Sequence, residues 1–499
     1  MHPKIALAVA LVLGLAGRGA ANTPPAPPEP LREFRGAWVA TVANIDWPIT
    51  RTRTTAQAQA ELTAILDTAA TLRLNAIILQ IRPECDAFYP STIDPWSYWL
   101  TGAQGRAPNP AWDPLQFAID GAHARGMELH AWMNPYRARN STSYTLHSSH
   151  IAVERPDLVE SYDGKLWLNP GMQDVRDYSL SVVMDVVNRY DVDAIHFDDY
   201  FYPYPASDGT SFPDADTYAA YQAGGGALSL NNWRRDNVNR FVQSVYTSIK
   251  AAKPTVRFGI SPFGIWRPNN PTGIQGLDSF NSIYADSRLW LRNGWVDYFS
   301  PQLYWEIDPP EQSFTALLDW WIGQNLQGRH VWPGMALYKI QANGWPSNEI
   351  VRQVQAARAR PGSRGTIAFS WDDIRDNVSG VRTDLAANAF TQPALVPAST
   401  WLDSTPPAAP TVTVSRTNGV TLNWAPAGTE PSFRYVVYWY RNSAWEHTIL
   451  NQASRSSTIP NSVAQPPTHV AVAAVDRLGN MSAVNVRSLL PSPGGWVLQ

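Results

Sequence analysis

Two adjacent aspartates, Asp198 and Asp199, close the apolar run Asp193-Ala-Ile-His-Phe-Asp-Asp-Tyr-Phe-Tyr-Pro203. Another carboxylate, Glu306, ends Tyr298-Phe-Ser-Pro-Gln-Leu-Tyr-Trp-Glu306. Cleavage of a glycosidic bond needs one carboxylic acid to protonate the leaving oxygen and a second group to attack or stabilise the anomeric carbon. The expected pair is Glu306 as acid/base and Asp198 as nucleophile or electrostatic stabiliser. Strand side chains alternate between faces, so Ile195 and Phe197 share one face while Ala194, His196 and Asp198 share the other. If the strand stays regular, Asp199 points away from Asp198, to brace the loop or bind substrate, and His196 is a hydrogen-bonding brace one layer down.

The same alternation recurs in other runs. Ser300, Gln302, Tyr304 and Glu306 separate from Phe299, Pro301, Leu303 and Trp305. Gln80, Arg82 and Glu84 separate from Ile77, Leu79 and Ile81, and His130, Trp132 and Asn134 share a side. Polar groups from four strands therefore converge on one lumen, and Arg82, Asn134, Tyr136, Arg137, His196, Asp199, Tyr200, Gln302, Tyr304 and Trp371 are the expected substrate ligands. Each could equally be a loop brace or lumen filler, since barrel lumens are packed cores. The histidines lack metal-ligand spacing, so no metal is expected. No cofactor is expected either.

The elements that must position these groups alternate along the chain. Strands are expected at 36–41, 76–81, 128–133, 194–197, 257–260, 298–303, 331–336 and 366–369, with helical patterns between them. That order predicts an α/β fold, a (β/α)8 TIM barrel over residues 32–398, with its chemistry at the C-terminal strand ends. A doubly wound sheet would carry a glycine-rich turn after its first strand, and Thr41-Val-Ala-Asn-Ile-Asp-Trp-Pro48 is not one. The loops 82–112, 134–173 and 200–232 are long and aromatic, as cleft walls are. The chain has 22 Trp and 20 Tyr, and flat aromatic faces stack on sugar C–H groups.

Residues 399–410 read as a linker. Residues 411–490 change to short alternating runs, a small all-β sandwich that resembles a fibronectin type III domain. The start of the chain, basic then apolar then small, predicts a secretory signal over 1–21, followed by a proline-rich tether over 22–31. The protein is expected to be exported, periplasmic or secreted, soluble and without a membrane anchor. Its net charge of -3 gives no basic field for nucleic acid, so a polysaccharide is the expected partner. Cys85, the one cysteine, is expected to be inert packing.

The motifs Phe34-Arg-Gly-Ala-Trp-Val-Ala, Gln80-Ile-Arg-Pro, Ala131-Trp-Met-Asn-Pro-Tyr-Arg137, Trp167-Leu-Asn-Pro-Gly, Ile195-His-Phe-Asp-Asp-Tyr-Phe-Tyr-Pro, Gly259-Ile-Ser-Pro-Phe-Gly and Pro301-Gln-Leu-Tyr-Trp resemble the glycosyl hydrolase-like 10 family. The family includes a glycosidase of peptidoglycan strands stripped of their peptides. The resemblance runs through the whole expected barrel and implies a (β/α)8 hydrolase of cell-wall glycan. A chitinase-like barrel would end its fourth strand in a glutamic acid where this chain has Tyr200, so that proton donor is missing. Substrate assistance by an N-acetyl group, with Asp198 orienting it, stays open. So do a hydrolase of another N-acetylhexosamine polysaccharide and a non-catalytic glycan-binding protein on a degenerate barrel.

Overall fold

The computed structural model describes residues 24–415, 419–492 and 495–498; the expected secretory signal over 1–21 lies outside them. Eight parallel strands alternate with helices. The strands are β1 (Phe34–Val39), β2 (Ala76–Arg82), β3 (Glu128–Met133), β4 (Ala194–Phe197), β5 (Arg257–Ile260), β6 (Tyr298–Phe299), β7 (His330–Val331 and Gly334–Ala336) and β8 (Gly365–Phe369). Neighbours in sequence pair in order from β1 to β6, and β8 pairs with β1. The first half of β7 pairs with β6 and the second half with β8. Only Trp332 and Pro333 separate the halves, and Pro333 has no N–H to give a ladder. Both edges of the curled sheet thus lie on one passage of chain.

Alternation sorts the strand residues into two apolar clusters. Ile77, Leu79, Leu129, Ala131, Ile195, Phe197, Phe258, Ile260 and Phe299 face outward into a core shared with the helices. Phe34, Trp38, Ala76, Ile78, Trp132, Ala194, Tyr298, Trp332 and Ile367 fill the lumen. Helix α1 (Thr55–Thr71) illustrates the outer layer. Thr54 and Gln57 form a capping box at its start, and Leu62, Ile65, Leu66 and Ala69, at helical spacing, are buried.

Lumen packing makes one glycine indispensable. A Cβ on Gly259 would sit 2.0 Å from Cζ of Tyr298. That ring is fully buried, and its hydroxyl is held by His130 Nδ1 at 2.9 Å and His196 Nδ1 at 2.8 Å. Gly259→Ala is therefore expected to destabilise the fold by about 1–3 kcal/mol, the usual cost of overpacking. An unchanged urea midpoint would show that the ring can yield.

The C-terminal residues form two antiparallel sheets. The strands are β9 (Ala408–Ser415), β10 (Thr421–Ala427), β11 (Arg434–Arg441), β12 (Ala444–Asn451), β13 (Ser456–Thr458), β14 (His469–Val475), β15 (Arg487–Ser492) and β16 (Gly495–Leu498). One sheet runs β9-β10-β13 and the other β12-β11-β14-β15-β16. In β11, Tyr435, Val437 and Trp439 face the core between the sheets, while Val436 and Tyr438 pack with Leu395. The strand is apolar on both faces because both are covered.

The expected linker starts as a docked segment. Ser399 is buried, and its hydroxyl accepts from Arg257 Nε at 3.0 Å. Trp401 donates to Asp297 at 2.9 Å. These contacts, and those of Arg434 and Arg477, fall at the N-terminal ends of the curled sheet's strands, opposite the loops that follow them. Among the described residues no helix is long and apolar enough to cross a membrane.

Candidate active site

At the C-terminal strand ends lies a cavity of about 220 Å³ that contains both Asp198 and Asp199. The strand assignment explains why they share it. β4 ends at Phe197, so the two-residue alternation does not extend to Asp199, and the expectation that it faces away is corrected. Arg137, Tyr200, Gln302 and Tyr304, all expected ligands, line the same cavity.

The Asp198 carboxylate is gripped from below. Its Oδ2 accepts from Asn134 Nδ2 at 2.5 Å and from Trp132 Nε1 at 3.1 Å. Its Oδ1 receives only the Tyr200 amide at 3.3 Å. Asn134 is itself fixed, since its Oδ1 accepts from Gln80 Nε2 at 2.7 Å and Arg137 Nη2 at 2.9 Å. Arg137 in turn lies over the Tyr200 ring, 5.0 Å from its centre. On Asp199, Oδ1 accepts from Gln302 Nε2 at 3.0 Å and Oδ2 from the Tyr204 hydroxyl.

His196 is the floor. The Trp38 indole, a donor only, donates to its Nε2 at 3.0 Å. The proton must then sit on Nδ1, pointing at the Tyr298 hydroxyl. Tyr298 passes its own proton toward His130 Nδ1, and His130 Nε2 donates to Glu128 at 3.0 Å. Burial holds His196 well below the usual histidine range. It is a neutral brace beneath the cavity and not a wall of it.

Six expected site residues are off the cavity wall: His196 beneath it, Asn134 behind Asp198, and four that lie elsewhere. Arg82 is turned behind Asn134, ion-paired with Asp94 at 2.6 Å and donating to the Asn134 carbonyl at 2.6 Å. A register irregularity in the β2–β3 ladder between Gln80 and Arg82 turns it aside, and Gln80 is the residue that lines the cavity. Tyr136 is buried in the outer core against Phe241. Trp371 begins a helical turn after β8, so parity fails there too; it lines a separate crevice with Asp46 and Ile65, and Phe369 takes the cavity position.

Glu306 is not among the cavity's lining residues. β6 is only Tyr298–Phe299, and alternation carries as far as Gln302 and Tyr304 before the chain bends away. Glu84, another acid of the lumen strands, is a buried brace that accepts from Trp99 at 2.6 Å and Tyr144 at 2.9 Å. Trp38, Trp132, Tyr204 and Tyr338 also line the cavity and were not among the expected ligands. The lumen parity of β1 and β3 was the available signal for the tryptophans. Tyr204 and Tyr338 come from loops, where no periodicity points.

Burial and the charge of Asp199 push Asp198 up to about 6, against the pull of Arg137 and Asn134. Burial likewise raises Asp199, despite its bonds from Tyr204 and Gln302. Two such neighbours titrate as a pair that holds one proton in mildly acidic solution. If that proton is the catalytic one, kcat/KM must fall as pH rises above about 6, and fall again when a second proton binds. A pH profile flat from 5 to 8 would exclude the pair as the acid.

The glycosyl hydrolase-like 10 family pattern matches residues 33–349. Glycosyl hydrolase YngK of Bacillus subtilis is 42% identical over 396 residues, spanning 77% of this chain and 76% of that protein. Glycosyl hydrolase DigH of Escherichia coli K12 is 34% identical over 412 residues, spanning 74% of this chain and 92% of the relative. Among solved structures, the PgaB (BpsB) glycoside hydrolase domain from Bordetella bronchiseptica superposes with a TM-score of 0.49 at 12% identity, over 73% of this chain and 100% of that one. With most of the curled sheet matched and two relatives above 30% identity, the chain belongs to the glycosyl hydrolase-like 10 family.

Proposed function

We propose that this chain is a glycosidase that cuts the glycan strands of the bacterial cell wall, freed of their peptides, by carboxylate acid/base chemistry. The observation that carries the reading is the pair Asp198 and Asp199, both nearly buried and both open to one aromatic-walled cavity at the C-terminal end of a parallel sheet. Asp199 takes the acid role expected of Glu306, because only a group on the cavity wall can reach a leaving oxygen. Trp38, Tyr200, Tyr304 and Tyr338 offer flat faces for sugar rings, and Arg137 and Gln302 offer donors for their oxygens. The cell-wall substrate is supported by the sequence motifs, which resemble a family that includes an enzyme of that specificity. In this reading residues 32–398 are a (β/α)8 catalytic domain, residues 411–490 a fibronectin type III-like module, and the protein acts after export.

The test is incubation with purified peptide-free glycan strands, counting new reducing ends. Wild-type protein should generate them, Asp199→Asn should not, and Glu306→Gln should remain close to wild type. Binding to the strands with no new ends from the wild type would instead favour a glycan-binding protein on a degenerate barrel. Loss of activity in Glu306→Gln with the fold intact would return the acid role to that residue.

A further inference from the structure

The two carboxylates of the cavity are neighbours in the chain, and among its described lining residues there is no third. A glycosidase that supplies its own nucleophile sets that group and the acid on opposite sides of the scissile bond, about 5–5.5 Å apart, and an inverting one sets them further apart. Asp198 and Asp199 are consecutive residues rising from one strand end, and not from opposite walls of the cavity, so they are not placed to flank a bond between them. Asp198 is held in place through its Oδ2, which already accepts from Asn134 and Trp132. Its Oδ1 is different. With only the 3.3 Å contact to the Tyr200 amide, it has a free lone pair toward the cavity, suited to one N–H donor. The same cavity carries the apolar groups Trp38, Ala40, Trp132 and Phe369, against which a methyl group can pack.

From this arrangement we infer that the nucleophile is the substrate's own 2-acetamido group, with Asp198 orienting it and Asp199 serving as acid and then base. The 2-acetamido group of the sugar at the cleaved position is thereby a requirement of the reaction and not only a feature of the substrate. In the first step the acetamido oxygen forms a bond to the anomeric carbon as the bond to the leaving oxygen breaks. Asp199 gives its proton to that oxygen, and Asp198 accepts the hydrogen bond, or the proton, of the amide N–H. In the second step Asp199 takes a proton from water as the water oxygen bonds to the anomeric carbon. The ring formed by the acetamido group opens, and its nitrogen recovers its proton from Asp198. Two displacements at one carbon leave the anomeric configuration unchanged. The raised affinity of both aspartates for protons suits two groups that hand one proton out and another back.

The inference rests on the glycosidase reading, and the experiment separates the two. Aryl chitotriosides bearing acetyl, monofluoroacetyl, difluoroacetyl and trifluoroacetyl groups are hydrolysed by the wild type, beside peptide-free glycan strands as a positive control. Fluorine withdraws electrons from the carbonyl oxygen, so kcat/KM should fall with each step, to a loss of about 100-fold or more, the smallest usual effect of removing a group that acts in the transition state. A methyl thiazoline of N-acetylglucosamine, which mimics the cyclised intermediate, should bind the wild type and lose affinity for Asp198→Asn. Cleavage of strands with no fluorine dependence would overturn the inference and leave the glycosidase reading standing. Thiazoline affinity unchanged in Asp198→Asn would overturn the role of Asp198. No cleavage of strands or aryl glycosides would overturn the glycosidase reading, and the inference with it.

Discussion

Asp199→Asn should lower kcat/KM on peptide-free glycan strands by about 10²–10⁴-fold, the range that a positioned acid or base contributes. The substitution keeps the shape and one acceptor oxygen for Gln302 or Tyr204, but it has no acidic proton to give to a leaving oxygen. Asp198→Asn should lose activity on a similar scale for a different reason, since it no longer carries charge to set against the N–H of the reacting group. The two variants part company on leaving-group dependence. An aryl glycoside with a good leaving group needs little protonation, so it should recover much of the rate in Asp199→Asn and little in Asp198→Asn. Equal recovery in both would erase the distinction between their roles.

Stability should move the other way. A carboxylate whose folded pKa lies above its unfolded value stabilises the fold fully only below the unfolded value, and that stability is lost as pH rises through the folded value. For Asp198 the window runs from the ordinary carboxylate range to about 6. At neutral pH the ionised pair therefore costs stability, and Asp198→Asn, which removes one of two like charges, should raise the unfolding temperature. A catalytic site that is costly to the fold is a common arrangement. A fall in the unfolding temperature at pH 7 would mean that the donors Asn134 and Trp132 outweigh the repulsion.

Where the backbone stayed regular, residue identity alone located the side chains. The parity of Ile195 and Phe197 against Ala194 holds in the two apolar clusters, and Gln302 and Tyr304 keep it for a few residues past the end of β6. The departures from the expected placements all fall where regularity ends. Asp199 lies two residues past the end of β4, Tyr136 three past the end of β3, Glu306 lies beyond a strand only two residues long, Trp371 starts a helical turn, and Arg82 sits at a ladder irregularity. Side-chain direction at a strand's end depends on the first loop dihedral, which no pattern of apolar residues encodes. The small antiparallel sheet of Arg137–Arg139, Val159–Tyr162 and Lys165–Leu168 was likewise hidden inside a loop. Its pairings are set by the fold around it.

Ending the chain at Asp403 should destabilise what remains by several kcal/mol while leaving the chemistry of the folded fraction intact. The cavity takes no residue beyond Phe369, so the C-terminal sheets contribute nothing to it directly. They do close the opposite end of the curled sheet. Val436, Tyr438, Ala473 and Val475 cover Leu395, and Arg434 donates to the Gly126 carbonyl at 2.7 Å. The decisive contact is electrostatic. Asp193 is fully buried beneath β4, where its Oδ2 accepts from His123 and from the Leu129 amide, each at 2.8 Å. Its Oδ1 has no hydrogen-bond donor, only Arg477 at 3.5 Å. Burial works against the charge on Asp193, yet His123 and Arg477 hold the carboxylate well below its usual range. Truncation removes that cation, and breaking a buried pair by deleting one member costs about 3–5 kcal/mol, against a total stability of about 5–15 kcal/mol. Arg477→Ala isolates this contribution at its lower end, because the arginine side chain is 22% exposed. A depressed carboxylate contributes stability above its unfolded pKa and loses it as pH falls. The deficit of Arg477→Ala should therefore be widest near neutral pH and narrow below pH 4, the ordinary aspartate value. A truncated protein with the full-length urea midpoint would make the C-terminal sheets a separate appendage, and a pH-independent deficit would assign the loss to packing rather than to Asp193.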